Sequence, residues 1–142
     1  MKKPMALPSA YEIYPAPPSV EDYLRLRSIT GLSEFSDSAA RKGLAGTLFG
    51  VTVLYKDEVV GMGRVVGDGG LFFQIVDISV DPEHQGRGLG ISIVAKLIDY
   101  LRENAPTSAY VSLMADVPAN KLYEKFGFRE TAPKTVGMAL SL

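Results

Sequence analysis

Apolar positions change their spacing along the chain, and the changes mark the elements. Ser19 precedes Val20, Tyr23, Leu24 and Ile29, with Asp22 placed to answer the cap, which predicts a helix from Val20 that Thr30 and Gly31 end. A shorter helix is expected from Ser36 to Lys42, with Gly43 as its stop. From Thr47 the residues become β-rich: Leu48, Phe49, Val51, Val53 and Tyr55, then the polar turn Lys56-Asp57-Glu58, then Val59 to Val66, the pattern of an antiparallel hairpin. Gly67-Asp68-Gly69-Gly70 supplies a turn, and Leu71 to Val80 adds the next strand of a meander. Between Ile91 and Arg102, Ile91, Val94, Ala95, Ile98 and Leu101 keep helical spacing while Ile93 and Leu97 widen the apolar surface, so this helix is expected to be largely buried. Tyr110 to Met114 reads as a strand, Val117 to Phe126 as a short helix and Val136 to Leu142 as a final strand. Residues 1–18 hold Pro4, Pro8, Pro15, Pro17 and Pro18 and form an extended lead-in, with at most a short strand at Tyr11 to Tyr14. No repeat or linker divides the rest, so residues 1–142 are expected to be a single α+β domain with a mixed, mostly antiparallel central sheet flanked by helices.

Composition narrows the chemistry. A net charge of -1 across 142 residues gives no basic field for a nucleic-acid backbone, so nucleic acid is not expected as a partner. With no cysteine there is no thiol nucleophile and no thiolate metal site, and one histidine, His84, cannot build a histidine cluster, so no metal is expected. Pro4 and Pro8 interrupt the short apolar stretch after Lys2 and Lys3, and no run approaches the roughly 20 apolar residues that span a bilayer. The expectation is a cytoplasmic protein without a membrane partner.

Gln85-Gly86-Arg87-Gly88-Leu89-Gly90 lies between a strand and a buried helix. Exposed N–H groups and the positive end of the helix dipole make such a place an anion site, glycines let the main chain approach phosphate oxygens, and Arg87 adds a cation. The bland alternative is a tight strand-to-helix turn. A P-loop would need lysine and then serine or threonine after its last glycine, where Ile91-Ser92 stands, and the dinucleotide fingerprint would need glycine at Ile91.

Val80-Asp81-Pro82-Glu83-His84-Gln85-Gly86-Arg87-Gly88-Leu89-Gly90 resembles the signature of the GNAT superfamily of acyl-CoA N-acyltransferases: Gln or Arg, two residues, Gly, one residue, Gly or Ala, matched at Gln85, Gly88 and Gly90. Leu122-Tyr123-Glu124-Lys125-Phe126-Gly127-Phe128 is similar to its second block, and the element order agrees from about residue 11 to 142. The resemblance implies a GNAT-like fold and acetyl-CoA as cosubstrate. The pantetheine arm would lie along Ile78, Ser79 and Val80, and the pyrophosphate on N–H groups of Gln85, Gly86, Arg87, Gly88, Leu89, Gly90 and Ile91. It also implies that the Ile78 N–H faces the thioester carbonyl and that Tyr123 is the acid meeting the departing sulfur. Where the family usually has an asparagine bonding the pantetheine arm this chain has Asp116, which when ionised accepts but does not donate and whose favoured reading is N-cap of the helix containing Pro118.

Acyl transfer to an amine needs no nucleophilic side chain, because the acceptor attacks. An alkylamine with a pKa near 10.4 must give up a proton, at a cost of roughly 4.6 kcal/mol at neutral pH, so a base or water path helps. Asp77 is the only carboxylate on its strand and aligns with an acidic position in some members; its structural alternative is a bond to backbone or to an arginine such as Arg64. Gln74 stands at the commoner glutamate position. The resemblance places acceptor contacts on the first helices and the facing strand, at Tyr23, Arg27, Glu34, Phe35, Phe72 and Phe73, which fits a small primary amine, amino acid or amine-bearing antibiotic as readily as a peptide N-terminus; the structural alternative for each aromatic is a place in the core. The implied function is N-acetylation by direct attack in a ternary complex. Peptide N-terminal acetylation or a non-catalytic CoA sensor are the alternatives, and homodimerisation through the later strands is left open.

Overall fold

A computed structural model describes residues 10–142, and the opening residues of the proline-rich lead-in lie outside the described residues. Strand β1 (Tyr11–Tyr14) is followed by helices α1 (Val20–Ile29) and α2 (Asp37–Ala45), the hairpin β2 (Phe49–Tyr55) and β3 (Glu58–Gly67), and β4 (Phe72–Val80). Helix α3 (Leu89–Asn104), β5 (Tyr110–Leu113) and α4 (Asn120–Glu124) complete the order. The strands form one sheet in the order β1-β2-β3-β4-β5, with β1 to β4 antiparallel to one another in turn. The connection from β4 to β5 runs through α3, the type of crossover that parallel neighbours require.

Local chemistry explains most boundaries. Ser19 caps α1 as its sequence predicts, its Oγ accepting the Asp22 N–H at 3.2 Å, and Thr30 closes the helix. The hairpin turns on Lys56 and Asp57, both at positive φ, the geometry whose twist suits two paired strands. At the β3–β4 turn the Asp68 carboxylate accepts from the N–H groups of Gly70, Leu71 and Phe72, which hold it below the usual carboxylate range.

Several boundaries differ from the sequence expectation. Helix α2 continues through Gly43 to Ala45 and caps at Gly46, because Leu44 packs beside the Tyr23, Leu26, Ala40 and Met62 cluster and holds another turn. The helix expected over Val117 to Phe126 is regular only from Asn120 to Glu124, between turns and a left-handed Gly127. Val136 to Leu142 alternates like a strand but forms none: among the described residues no strand supplies the ladder such a segment needs, and Val136, Met138, Leu140 and Leu142 are exposed.

The described residues divide into two compact units, one ending at Ser112 and the other Leu113–Leu142. In the first, the sheet carries helices on both faces. Alternate residues of β3 show the division: Met62 packs with α1 and α2, whereas Gly63 faces α3. A Cβ at Gly63 would lie 2.6 Å from Ile93 Cγ2 and 2.7 Å from Ile78 Cδ1, so the missing side chain is what lets α3 lie so close to the strand. Gly63→Ala is expected to lower stability by about 1–3 kcal/mol through overpacking, measured by urea denaturation.

Candidate active site

The site begins with a fault in the sheet. Met62 pairs with Ser79 and Arg64 with Val76, so Gly63 stands opposite both Asp77 and Ile78. One extra residue in β4 makes a bulge, and Asp77 takes it at φ 62. Aspartate is among the few side chains that occupy this left-handed region readily. Strict alternation would put Asp77 on the face of Phe73 and Ile75. The bulge instead turns Asp77 toward α1 and places Ile78 on the α3 face.

There Asp77 joins a buried network. Its Oδ1 accepts from Arg27 Nη1 at 2.5 Å, and its Oδ2 from Arg64 Nε and from the Tyr23 hydroxyl, each at 2.9 Å. Arg27 also donates through Nε to the Ser33 carbonyl and through Nη2 to Ser33 Oγ, and its guanidinium lies 4.4 Å from the Phe35 ring centre. Arg64 Nη1 donates to Thr47 Oγ1 at 2.6 Å and to the Gly43 carbonyl. Burial, then the negative charge of Asp77 and the hydrogen bond to it, push the Tyr23 phenol above its usual range.

Of the acceptor contacts expected from sequence, the fold brings Tyr23, Arg27 and Phe35 together beside Asp77 and leaves Phe35 half exposed. Phe73 is buried opposite Gly67 and is a core side chain, while Phe72 is exposed against Tyr110. The Asp77 carboxylate is bound on both oxygens, which is the structural alternative foreseen for it. Arg64 is named from sequence only as a possible partner of Asp77; its bonds to Thr47 and Gly43, and the second arginine on the same carboxylate, are what sequence reasoning missed.

The glycine loop leads from β4 into α3. Asp81 caps a 3-10 turn at Pro82–His84, then Gly86 and Gly88 both adopt left-handed backbone, φ 79 and 81, before the helix starts at Leu89, earlier than its apolar spacing suggested. The first helical bond is Ser92 N–H to the Gly88 carbonyl, and no side chain caps this helix. Among the described residues the N–H groups from Gln85 to Ile91 donate to no protein acceptor, which is the donor set a pyrophosphate needs. Gln85 holds the loop to β4 through Nε2 to the Val80 carbonyl.

Arg87 and His84 anchor this loop to β1. Arg87 Nη1 donates to the Tyr11 hydroxyl at 2.7 Å, which leaves the phenol proton for His84 Nδ1 at 2.6 Å. Tyr55, paired with Tyr11 across the strands, packs on the same imidazole. His84 therefore sits in the aromatic clamp of the loop. Nothing in its sequence neighbourhood pointed to Tyr11, more than seventy residues earlier.

In the second unit Tyr123 is buried and meets Phe128 edge-on. Burial first, and the nearby charge of Asp116 second, raise its phenol above the ordinary value. Asp116 does not cap α4. Its backbone carbonyl accepts the Ala119 N–H in the turn ahead of the helix, and the helix's N-cap is Ala119, without a side-chain bond. The intervening turn moves the helix start beyond the reach of the expected cap. Among the described residues no group of three or more histidine, cysteine, aspartate or glutamate side chains could hold a metal ion, and no helix is long and apolar enough to cross a membrane.

These environments generate two predictions. Asp77→Asn leaves two buried guanidiniums facing a neutral amide and is expected to cost about 3–5 kcal/mol of stability in urea denaturation. Tyr23 and Tyr123 both hold their protons more tightly folded than unfolded. The unfolded chain therefore ionises first, so their contribution is intact below about pH 10 and is lost as pH rises through the folded values. Stability measured against pH should fall above that point, less steeply in Tyr23→Phe.

Comparison with known proteins agrees with this geometry. Residues 7–128 match the acetyltransferase (GNAT) family. A structure of a protein of unknown function from meticillin-resistant Staphylococcus aureus, described as a probable acetyltransferase, is 45% identical, with a TM-score of 0.89 over 93% of this chain and 99% of that one. A GNAT family protein from Streptococcus pneumoniae shares the fold at 22% identity, with a TM-score of 0.74 over 93% of this chain and 97% of that one. GCN5-related N-acetyltransferase 2, chloroplastic, from Arabidopsis thaliana is 35% identical over 81 residues, 57% of this chain and 31% of that protein. The chain spans less than half the length of the curated relatives it matches. A bulged strand running into an uncapped, glycine-led helix, in a chain that matches over residues 7–128, makes this protein a member of the GNAT acetyltransferase family.

Proposed function

We propose that the protein transfers the acetyl group of acetyl-CoA to a primary amine of a small molecule, by direct attack of the amine on the thioester. The observation that carries this reading is the run of N–H groups from Gln85 to Ile91 with no protein acceptor, at the start of a helix that no side chain caps. Those donors fit a pyrophosphate, and acetyl-CoA is the substrate that family membership suggests for them.

In this reading Ile78, Ser79 and Val80 present backbone to the pantetheine arm. The bulge at Asp77 interrupts the ladder beside Ile78, which suits the Ile78 N–H to a thioester oxygen that becomes negative as the amine attacks. The amine nitrogen bonds to the carbonyl carbon, the carbon–sulfur bond breaks, the ammonium proton passes to water, and the sulfur takes a proton. Tyr123 is assigned to that last proton. Its raised pKa keeps it protonated at neutral pH but makes full transfer to a thiolate more uphill, so it acts chiefly by hydrogen bonding as charge develops on sulfur. Asp77, bound by two arginines and a tyrosine, orients the acceptor floor rather than removing the proton, which leaves water as the base. Asp116 is assigned to the pantetheine arm as an acceptor only.

Release of free thiol from acetyl-CoA across a panel of amines tests the proposal. Turnover is expected with at least one small primary amine, and Tyr123→Phe should lower kcat by about 10–100-fold while leaving acetyl-CoA affinity within about twofold. No thiol release from any amine would overturn the activity, and an unchanged kcat would remove Tyr123 from it.

A further inference from the structure

The buried network around Asp77 does not balance its charge. Arg27 and Arg64 are 7% and 8% exposed, and one carboxylate, itself buried, answers both. Among the described residues no other aspartate or glutamate makes an ion pair with either guanidinium. An unmatched positive charge at such a depth is costly unless something neutralises it.

The unused valence can be located. Every nitrogen of Arg27 has a protein acceptor: the Ser33 carbonyl for Nε, Asp77 for Nη1 and Ser33 Oγ for Nη2. Arg64 commits Nε to Asp77 and Nη1 to Thr47 and Gly43, whereas its Nη2, with two N–H groups, donates to nothing among the described residues. Asn120 Oδ1 is the one fully enclosed side-chain polar atom without a partner among the described residues, so Arg64 Nη2 is not fully enclosed. A side chain about nine-tenths buried thus keeps one cationic edge that is neither partnered nor fully enclosed.

That edge belongs to the site. Arg64 is tied to Asp77, and Asp77 is covalently followed by Ile78, the residue assigned above to the thioester. Thr47 and Asp77 grip the rest of the guanidinium and fix the direction of the free nitrogen, so an incoming oxyanion would meet a preset donor.

We propose that Arg64 Nη2 binds an anionic group of the acceptor, so that the preferred acceptors are compact amines carrying a carboxylate or a phosphate. This inference rests on the acetyl-transfer reading and names its substrate class. The bound oxyanion supplies the missing negative charge of the network and sets the amine at a fixed distance from the bulge.

The test compares matched acceptors by thiol release: glycine and β-alanine with their carboxamides, and phosphoethanolamine with ethanolamine. In the wild-type protein the anionic member of at least one pair should have a KM lower by about tenfold or more, and in Arg64→Gln that ratio should fall toward one. The pair that discriminates identifies carboxylate or phosphate. A second arm needs no turnover: with coenzyme A saturating, propionate or inorganic phosphate should raise the thermal midpoint of the wild-type protein above chloride at equal ionic strength, and should not do so for Arg64→Gln. Neutral amines used as well as anionic ones, or a preference that survives Arg64→Gln, would overturn the inference and leave the acetyl-transfer reading intact. If no amine turns over, that reading falls, and the thermal arm still decides whether Arg64 holds an anion. Should Arg64→Gln fail to fold, the wild-type comparisons decide alone.

Discussion

The carboxylate of Asp77, held between Arg27 and Arg64, is the interaction on which the first unit depends. It ties α1, through Arg27 and Tyr23, to β3, through Arg64, at a residue of β4 whose backbone is left-handed. Left-handed backbone costs an ordinary residue about 1–2 kcal/mol. Charge-assisted hydrogen bonds on both oxygens offset that cost, and removing the carboxylate would leave two desolvated cations in one place. The bulge and the network therefore stabilise each other.

The bulge also lets one strand serve two purposes. Side chains on a strand alternate between faces, so successive residues normally cannot answer to a fixed pattern on one side. The extra residue at Asp77 resets the phase. Asp77 turns to α1, and Ile78 fills the α3 side against Ile93 and Leu97, where Gly63 leaves it room. The carboxylate of the arginine network and the backbone amide beside the bulge thus come from adjacent residues, with no loop between them to blur their spacing.

Helix α3 contributes by burying a wide apolar face and by lacking a cap. Leu89, Ile93, Val94, Leu97 and Leu101 bury it against the sheet, so its axis is set by packing rather than by its ends. A side-chain cap would have consumed the N–H groups that a phosphate needs; Gly86 and Gly88 turn the chain without supplying one. The loop is instead held from outside, by Gln85 on the Val80 carbonyl and by the Tyr11, His84 and Arg87 chain. Arg87 spends one of its donors on that chain.

Local signals determined much of this protein. The Ser19 cap, the polar hairpin turn, the apolar spacing of α3 and the glycines from Gly86 to Gly90 are short-range features, each decided by the conformational limits of a few neighbouring residues, and all of them appear in the fold. Signals that depended on a distant partner were legible only in part. Val136 to Leu142 alternates as a strand should, yet alternation supplies no partner for its backbone, and Asp116 has the chemistry of a cap without the helix starting beside it. The bulge, the turning of Asp77 away from its expected face and the open nitrogen of Arg64 belong to the tertiary structure alone. They follow from strand register and from which charges the fold leaves without a counterpart, and both are settled between residues far apart in the chain.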